Sequence, residues 1–436
     1  MASVKDGCVS PCVADDASAN ASLVQSPSMG SISSSVFNSL RFDDDDPSVD
    51  ASSDFYVKVD NPEKHVTTME TFITFRVTLR TTRPEFNNSE YHVRRRYNDF
   101  KWLRNRLEAE NPSRVIPPVP EKHNLKEQLD RYGREFILQR MFLLNKFLQR
   151  LADHPVLSYD QNLVAFLTSS PAEFACHKKR REGLFVRVST SMQNMSSLSV
   201  YLIKPQAPEF DQIGAYIGKF GEKLNFVGRV GSRIHQERTY YARELKMLAP
   251  ALLLWANCES KLKQTLEILA SAVDTSAKAN DGLLHSHNFK FHLPLREYEL
   301  WVDAVKSSLK RRDHFQVAYE LSVEDLERKR ADKVSLSSGG GENLFSFFSG
   351  KDSPALRLVR EQKLDNTIEA VKKDSGEKGD RSEMANADIR ADFERWTSMK
   401  DADLRSILLS HAIRHVQVYE QCVAAWENAL SRLSDH

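Results

Sequence analysis

The strongest constraint on the fold is a helical periodicity that extends over most of the chain after residue 205. Apolar residues recur there at spacings of four, three and seven, which places them on one face of a helix. They fall in three stretches: Phe220, Leu224, Val227, Ile234, Tyr241, Leu245, Leu248 and Leu252; Tyr298, Trp301, Val305, Leu309, Phe315, Tyr319, Leu321 and Leu326; and Ile389, Phe393, Trp396, Leu404, Leu408, Val416, Tyr419, Trp426, Leu430 and Leu433. The pattern predicts three amphipathic helices, each about 50 residues or longer and so about 80 Å in length. Such helices predict an elongated antiparallel bundle, and their broad apolar stripes predict a second chain packed against it.

Segments rich in loop-forming residues interrupt this pattern. VSLSSGGGENLFSFFSGKDSP (334–354) and KDSGEKGDRSE (373–383) both predict loops. HSHNFKFH (285–292) is likewise expected to be a loop rather than a set of metal ligands. The phenylalanines of the first segment fit a membrane-inserting loop, a partner motif or a disordered insert, and the sequence does not decide among them.

The first part of the chain has a different pattern. Residues 1–54 are rich in serine, include aspartates at 43–46 and hold few large apolar residues, so we expect a disordered acidic tail. In TFITFRVTLR (71–80) apolar and polar residues alternate, which is typical of a half-buried strand. Neighbouring strands at 55–59 and 90–97, followed by helices on either side of a proline-rich loop, predict a three-stranded antiparallel sheet plus helices. We therefore expect an α+β domain over residues 55–170.

Composition restricts the possible partners. The formal net charge is only +1, so any anion binding is expected to be local. The five cysteines form no C-x-x-C pair, and the longest apolar run, residues 249–256, is far shorter than the roughly 20 residues of a membrane span. The first residues show no signal peptide. We expect a cytosolic, soluble protein whose membrane contact is peripheral.

Motifs of catalysis or metal binding are not recognisable. GKFGEK (218–223) lacks the spacing of a phosphate-binding loop, and His411 and His415 lack the glutamate of a zinc-binding helix. No serine or cysteine occupies a recognisable nucleophile elbow. We therefore expect a protein that is not an enzyme and that uses no metal and no cofactor.

A basic cluster stands at RRRYNDF (94–100), where the third strand is predicted to end. The segment from residue 91 to residue 150 contains fourteen Lys and Arg residues and seven Asp and Glu residues, which gives it a formal charge of +7. Arginine makes paired, charge-assisted hydrogen bonds to phosphate, and a helix N-terminus adds free N–H groups. A phosphate pocket, a nuclear-import signal and a solvated strand end would all use arginine. The near-neutral total charge and the lack of stacking aromatics argue against a nucleic-acid contact.

Three motifs in order carry a resemblance to a known family: RRRYNDF, then PPVPEK (117–122), then FILQRMFLLNKFLQRLADHP (136–155). Residues 55–170 resemble the phox-homology domain, and the helical region, residues 205–436, resembles the three-helix BAR domain of a sorting nexin. The C-terminal stretch ADFERW…VYEQCVAAWENAL is most similar to the branch that contains sorting nexins four, seven and thirty, and closest to seven and thirty. The glycine-rich insert near 335–355 departs from the family pattern.

The resemblance implies a site for phosphatidylinositol 3-phosphate. It implies that Arg96 grips the 3-phosphate, that Tyr97 lies against the inositol ring and that Asn98 helps to hold the phosphate near the helix start. It also assigns the 1-phosphate to Lys122 and the ring hydroxyls to Arg140.

The other two arginines of the cluster receive a different interpretation. Strand alternation points Arg95 away from the face of Arg96, and we expect Arg94 and Arg95 to form a solvated strand edge. For Arg96 the alternative to phosphate binding is a structural ion pair with Asp99.

Residues 171–204 are predicted to be a basic linker with a possible amphipathic helix, which the family often carries at this place. Basic residues followed by an apolar face suit an anionic membrane, whereas a linker packed on the bundle is the alternative. A basic run on the second long helix is a further candidate, although such runs are usually solvated. The predicted membrane-contact residues are Lys178, Lys179, Arg180, Arg181, Leu184, Phe185, Val188, Lys310, Arg311 and Arg312.

The resemblance thus implies a peripheral protein of early endosomes that binds phosphatidylinositol 3-phosphate and curved membrane. It further implies a homodimer, or a heterodimer with a sorting nexin four relative, that acts in endosomal recycling or retrograde trafficking with a link to autophagy. The alternative from another class is a coiled-coil scaffold whose phox-homology domain binds protein rather than lipid. No nucleic-acid partner is expected.

Overall fold

The computed structural model describes residues 54–66, 71–122, 133–180, 208–337 and 354–434. They form an N-terminal α+β domain, residues 54–180, and a helical domain that begins at residue 208. The fold class expected from the sequence is confirmed. The predicted acidic tail and most of the 335–355 insert lie outside the described residues.

The sheet of the N-terminal domain has three antiparallel strands in the order β1 (Phe55–Val66), β2 (Thr71–Thr81) and β3 (Glu90–Arg96). Val57 pairs with Leu79, and Val77 pairs with Val93, so the apolar positions of neighbouring strands share one face. The predicted alternation is confirmed because these side chains are buried on the core face. Between Asp60 and Glu63 the register of β1 shifts, and Asn61 adopts a positive φ of 43° there.

Four helices and one 3₁₀ turn cover the sheet in the described part of this domain. They are α1 (Tyr97–Glu110), α2 (Arg134–Ala152), the 3₁₀ turn (Leu157–Tyr159), α3 (Gln161–Thr168) and α4 (171–180). Their apolar faces meet around Phe100, Leu103, Phe147 and Phe166, which are all almost fully buried. Helix α1 begins directly after β3, with Arg96 as its N-cap residue.

Helix α4 is part of the N-terminal domain, so the prediction of a linker from residue 171 is wrong for residues 171–180. Phe174 is only 3% exposed and packs edge-on against Phe166 and Trp102. His177 forms a hydrogen bond of 3.1 Å with Asn162 at the start of α3. The rest of the predicted linker, residues 181–204, lies outside the described residues.

In its described residues the helical domain consists of three long rods, and consecutive rods run antiparallel. The first is α5 (Pro208–Ala256); the second runs without a break through α6 (Lys263–His287), a π-helix (Asn288–His292) and α7 (Leu293–Ser337); the third is α8 (Pro354–Ser434). With 49 residues in α5 and 81 in α8, these two rods are about 75 and 120 Å long. The length and antiparallel arrangement predicted from the periodicity are confirmed.

Two segments predicted as loops are helical. HSHNFKFH continues α6 into the π-helix, which ends just before Pro294, a residue that has no N–H for the α-helical ladder. KDSGEKGDRSE lies inside α8, and its Gly379 packs against Tyr319 of α7, where a Cβ atom would lie 3.1 Å from the ring. GKFGEK behaves in the same way, since a Cβ atom at Gly221 would lie 2.9 Å from Val302. These glycines bring helices close together instead of ending them.

Buried ion pairs join the two domains. Arg150 of α2 donates to Glu297 of α7 at 2.8 Å and also contacts Asp403 of α8. Asp392 of α8 is 3% exposed and accepts hydrogen bonds from the Val115 N–H at 2.9 Å and from Arg114 at 3.3 Å. Breaking one of these buried pairs would leave an unpaired charge, so they stabilise the contact between the N-terminal domain and the rods.

An apolar surface remains exposed on the helical domain. Among the described residues, no helix combines the length and the apolarity that a membrane crossing requires. Exposed apolar side chains nevertheless concentrate on residues 226–255 of α5 and 408–430 of α8: Phe226, Val227, Ile234, Tyr240, Tyr241, Met247, Leu248, Leu253, Leu254 and Trp255 on α5, and Leu408, Leu409, Ile413, Val416, Tyr419, Val423, Trp426 and Leu430 on α8. A surface of this extent is typical of a protein–protein interface.

Candidate anion-binding site

The candidate site is built where β3 passes into α1. Arg96 is the last residue of β3 and the N-cap of α1, and its backbone N–H donates to Asp99 Oδ2 at 2.9 Å. The guanidinium Cζ of Arg96 lies 6.0 Å from the centre of the Phe72 ring. A helix N-terminus carries partial positive charge and unpaired N–H groups, so this corner favours an anion.

The proline-rich loop and α2 close the site from the other side. The Tyr97 hydroxyl donates to the Pro120 carbonyl at 2.7 Å, and the guanidinium of Arg140 stacks 4.3 Å above the Tyr97 ring. Arg140 Nη2 donates to the Lys122 carbonyl at 2.7 Å. Burial raises the pKa of the Tyr97 hydroxyl, which keeps it a neutral donor. The structure therefore brings Tyr97, Lys122 and Arg140 together although they are distant in sequence.

The remaining predicted site residues also lie at this corner. Asn98 is exposed in the first turn of α1, next to Arg96 and Tyr97. Lys122 is exposed at the end of the proline-rich loop. Arg96 at the N-cap and Arg140 stacked on Tyr97 place two guanidinium groups at this end of α1, and the Lys122 carbonyl holds Arg140 there. Guanidinium groups beside a helix N-terminus would attract a phosphorylated ligand.

Arg95 corrects the sequence interpretation. Its side chain is 1% exposed, and it donates from Nε to the Phe166 carbonyl at 2.9 Å and from Nη2 to the Ser169 carbonyl. The guanidinium also stacks 4.4 Å from the centre of the Phe174 ring. Burial lowers the pKa of Arg95 to about 10. The prediction of a solvated strand edge is wrong here, although strand alternation does place Arg95 on the same face as the buried Val93.

Arg94 is half-buried and braces the bulge of β1. It pairs with Glu63 at 2.6 Å and donates to the Asn61 carbonyl at 3.3 Å, next to the register shift. The expectation of a freely solvated side chain is therefore also wrong for Arg94. Its partners Glu63 and Asn61 belong to β1, on the far side of β2, and Arg94 also donates to the Thr74 hydroxyl of β2 at 3.2 Å.

Asp99 forms its ion pair with a residue that was predicted to contact the membrane. Asp99 Oδ1 accepts from Lys178 Nζ of α4 at 2.7 Å, while its other oxygen accepts from the Arg96 backbone. The alternative of an ion pair between Arg96 and Asp99 is thus replaced by a backbone hydrogen bond. Sequence reasoning missed Lys178 as a partner because 79 residues separate it from Asp99.

The other residues predicted to contact the membrane differ in their exposure to solvent. Lys179, Arg180 and Lys310 are exposed. Arg181, Leu184, Phe185 and Val188 lie outside the described residues.

Arg311 and Arg312 are buried, with 8% and 4% of their surface exposed. Arg311 donates to the Pro112 and Arg114 carbonyls at 2.9 and 3.0 Å and pairs with Glu108, whereas Arg312 donates to Asn386 at 2.7 Å. We therefore exclude Arg311 and Arg312 from the membrane-contact residues. They hold the domains and the rods together.

Comparisons with known proteins agree with this geometry. Residues 83–170 match the family model described as the PX domain, the short name of the phox-homology domain. Sorting nexin-30 of Mus musculus is 36% identical over 92% of this chain and 83% of its own length, and sorting nexin-7 of Mus musculus is 33% identical over 94% and 96%. Sorting nexin-4 of Emericella nidulans is 26% identical over 87% of this chain and 83% of its own length. The chain belongs to the sorting nexins.

The helical domain of this sorting nexin also has a counterpart of known structure. The SNX-BAR Mvp1 tetramer, solved by cryo-EM, aligns with a TM-score of 0.63 at 15% identity and covers 84% of this chain and 99% of that chain. At this identity the likeness concerns the fold, which is a PX domain followed by a BAR domain. Sorting nexins with this architecture are membrane-associated trafficking proteins, and this sorting nexin shares that general role.

Proposed function

We propose that this sorting nexin binds phosphatidylinositol 3-phosphate at the corner of its PX domain. The observation that carries the proposal is the convergence of Arg96, Tyr97, Lys122 and Arg140 around the N-terminus of α1. Arg96 would bind the 3-phosphate, with Asn98 beside it at the helix start. Lys122 would bind the 1-phosphate, Arg140 the ring hydroxyls, and Tyr97 would lie against the inositol ring.

The energetics favour a phosphate on this corner. Each hydrogen bond to a charged group contributes about 1.5–3 kcal/mol net, and a guanidinium can make two of them to one phosphate. Binding also costs translational and rotational freedom, so these few contacts to one headgroup support only a weak to moderate affinity for the membrane. A second contact with the membrane is therefore needed for stable recruitment.

The BAR domain would supply that second contact as a dimer. The exposed apolar residues of α5 and α8 need a partner chain, and the resemblance favours a homodimer or a heterodimer with a sorting nexin four relative. The related Mvp1 protein assembles as a tetramer, which supports self-association in this fold. Once the headgroup site has bound, the BAR domain meets the membrane at a high effective concentration, so the two weak contacts together give a much higher affinity than either alone. Such a dimer would prefer curved membrane.

The same proposal predicts where in the cell the protein acts and in which trafficking process. A phosphatidylinositol 3-phosphate reader with a curvature-sensitive dimer fits the cytosolic face of early endosomes and the recycling or retrograde tubules that leave them. The relationship to sorting nexins seven, thirty and four supports this assignment and a role in autophagy.

Liposome flotation across a panel of phosphoinositides tests the proposal. The protein should float with vesicles that contain phosphatidylinositol 3-phosphate, more weakly with the other monophosphates, and least with phosphatidylcholine alone. Flotation that ignores the headgroup, or no flotation at all, would contradict it. The absence of flotation would favour a scaffold whose PX domain binds protein.

A further inference from the structure

The Asp99 carboxylate lies beside the candidate phosphate site and is itself an anion. It belongs to the first turn of α1, its side chain is 11% exposed, and its Oδ2 accepts the backbone N–H of Arg96 at 2.9 Å. This hydrogen bond orients the backbone at the residue proposed to grip the phosphate. An uncompensated carboxylate here would also repel the phosphate, since two charges several ångströms apart still interact at a protein surface.

Lys178 compensates that charge from another part of the chain. Its Nζ lies 2.7 Å from Asp99 Oδ1, and the Lys178 side chain is 23% exposed. Its position is fixed by α4, because Phe174 is buried in the core and His177 bonds Asn162. The Lys178 ammonium also lies 5.1 Å from the centre of the Phe174 ring. A preorganised lysine can neutralise Asp99 without the entropy cost that weakens exposed ion pairs.

We propose that Lys178 is a positioning residue for the headgroup site. It holds the Asp99 carboxylate against the Arg96 backbone and cancels the negative charge beside the bound phosphate. The role rests on the proposed function of the pocket. It also differs from a direct membrane contact, because Lys178 then acts through Asp99 and its effect depends on the charge of Asp99.

Four variants separate these roles: Lys178→Met, Lys178→Arg, Asp99→Asn and the double variant Lys178→Met/Asp99→Asn. The affinity of the full-length protein is measured on phosphatidylcholine vesicles with a small fraction of phosphatidylinositol 3-phosphate. Lys178→Met should weaken binding about fivefold to tenfold at low salt, because the Asp99 carboxylate would then repel the phosphate without a compensating charge. Lys178→Arg should bind like the wild type.

The double variant is the decisive arm. Asparagine keeps an oxygen that accepts the Arg96 N–H but carries no charge, so Lys178→Met/Asp99→Asn should recover wild-type affinity within about twofold. Asp99→Asn alone should bind at least as tightly as the wild type. If Lys178→Met prevents folding, as judged by thermal unfolding, Asp99→Asn and the double variant still decide the question.

Two controls complete the design. Lys179→Met changes the exposed neighbour on α4 and should have a smaller effect than Lys178→Met. Equal losses for Lys178→Met and Lys179→Met, a double variant that stays weak, or a Lys178→Met variant that binds like the wild type would each overturn the proposal. Wild-type protein and Arg96→Ala are measured in the same series: if neither depends on the headgroup, it is the proposed function of the pocket that fails.

Discussion

Arg94, Arg95 and Arg96 are neighbours of identical chemistry, and strand geometry gives each a different environment. Arg94 reaches Glu63 at the bulge of β1, Arg95 enters the core, and Arg96 ends the strand at the N-terminus of α1. Alternation along β3 is visible in the sequence and separates Arg95 from Arg96. The carbonyl partners of Arg95 are not visible, because they lie more than 70 residues away, at the end of α3.

Replacing Arg95 with alanine should destabilise the PX domain. The buried Phe166 carbonyl and the part-buried Ser169 carbonyl would lose their donor, and each unsatisfied group costs about 1–3 kcal/mol. We therefore expect a loss of about 3–4 kcal/mol in the free energy of unfolding, measured by chemical denaturation. Arg94→Ala is the matched control and should cost at most about 1 kcal/mol, as is usual for partly exposed pairs. Equal effects of the two substitutions would contradict the assignment of Arg95 to the core.

Histidines from three helices meet at the point where α5, α6 and α8 pack together. The ring centres of His235 and His287 lie 5.1 Å apart, and the two rings are stacked. The ring centre of His411 lies 5.7 Å from that of His287 and 4.5 Å from that of His415. They line a cavity of about 330 Å³ together with Phe291 and aliphatic side chains. The periodicity predicts the helices that carry these residues, but it does not predict that the histidines meet, because the crossing points depend on the whole packing.

Acid should therefore weaken the packing of these helices. Burial, followed by the neighbouring histidines, lowers the pKa of His287 to about 4, and burial and Arg238 lower the pKa of His411. A histidine whose folded pKa lies below its unfolded value of about 6.5 binds more protons when the chain unfolds, so stability falls as the pH drops through that window. We expect a loss of about 1–2 kcal/mol between pH 6.5 and 4, discounted for partial exposure.

The pH dependence can be assigned with one pair of variants. His287→Phe should flatten the fall in unfolding free energy between pH 6.5 and 4, because it removes the most strongly shifted histidine of the cluster. His314→Phe on α7 lies outside the cluster and serves as the control. If His287→Phe leaves the slope of stability against pH unchanged, the cluster is not its source.

At the scale of the whole molecule, the PX domain and the BAR rods are joined through Asp392. Burial alone would raise the pKa of this carboxyl group, but hydrogen bonds from His154, Val115 and Arg395 lower it. The sequence predicts both domains, yet Asp392 and Val115 are 277 residues apart and nothing in the local pattern pairs them. The junction is therefore known only from the folded structure.

The Val115 amide reports on this junction. Because its N–H donates to Asp392, the substitution Asp392→Ala should speed its hydrogen exchange by about a hundredfold, as expected for a loss near 3 kcal/mol. Exchange mass spectrometry of a peptide that spans residues 113–116 measures the rate. Glu209→Ala breaks the exposed pair with Arg390 and should leave the rate unchanged. Unchanged exchange in Asp392→Ala would mean that the domains are held elsewhere.

The exposed apolar residues of α8 should be the dimer contact. Trp426 is 41% exposed, and a charge at this position should be buried without a partner in a dimer. Trp426→Glu should therefore give monomers in sedimentation velocity. Leu358→Glu changes an exposed apolar residue at the other end of the same helix and should leave the dimer intact. Dimers that survive Trp426→Glu and dissociate in Leu358→Glu would place the contact at the opposite end.

Arg96, and not the basic cluster as a whole, is the residue that we propose to bind the headgroup. The direct measurement is flotation of wild-type protein, Arg96→Ala and Arg94→Ala with vesicles that contain phosphatidylinositol 3-phosphate. Arg96→Ala should lose at least about tenfold in apparent affinity while its thermal unfolding stays close to that of the wild type, and Arg94→Ala should float normally. Arg96→Ala protein that floats as well as the wild type would contradict the account.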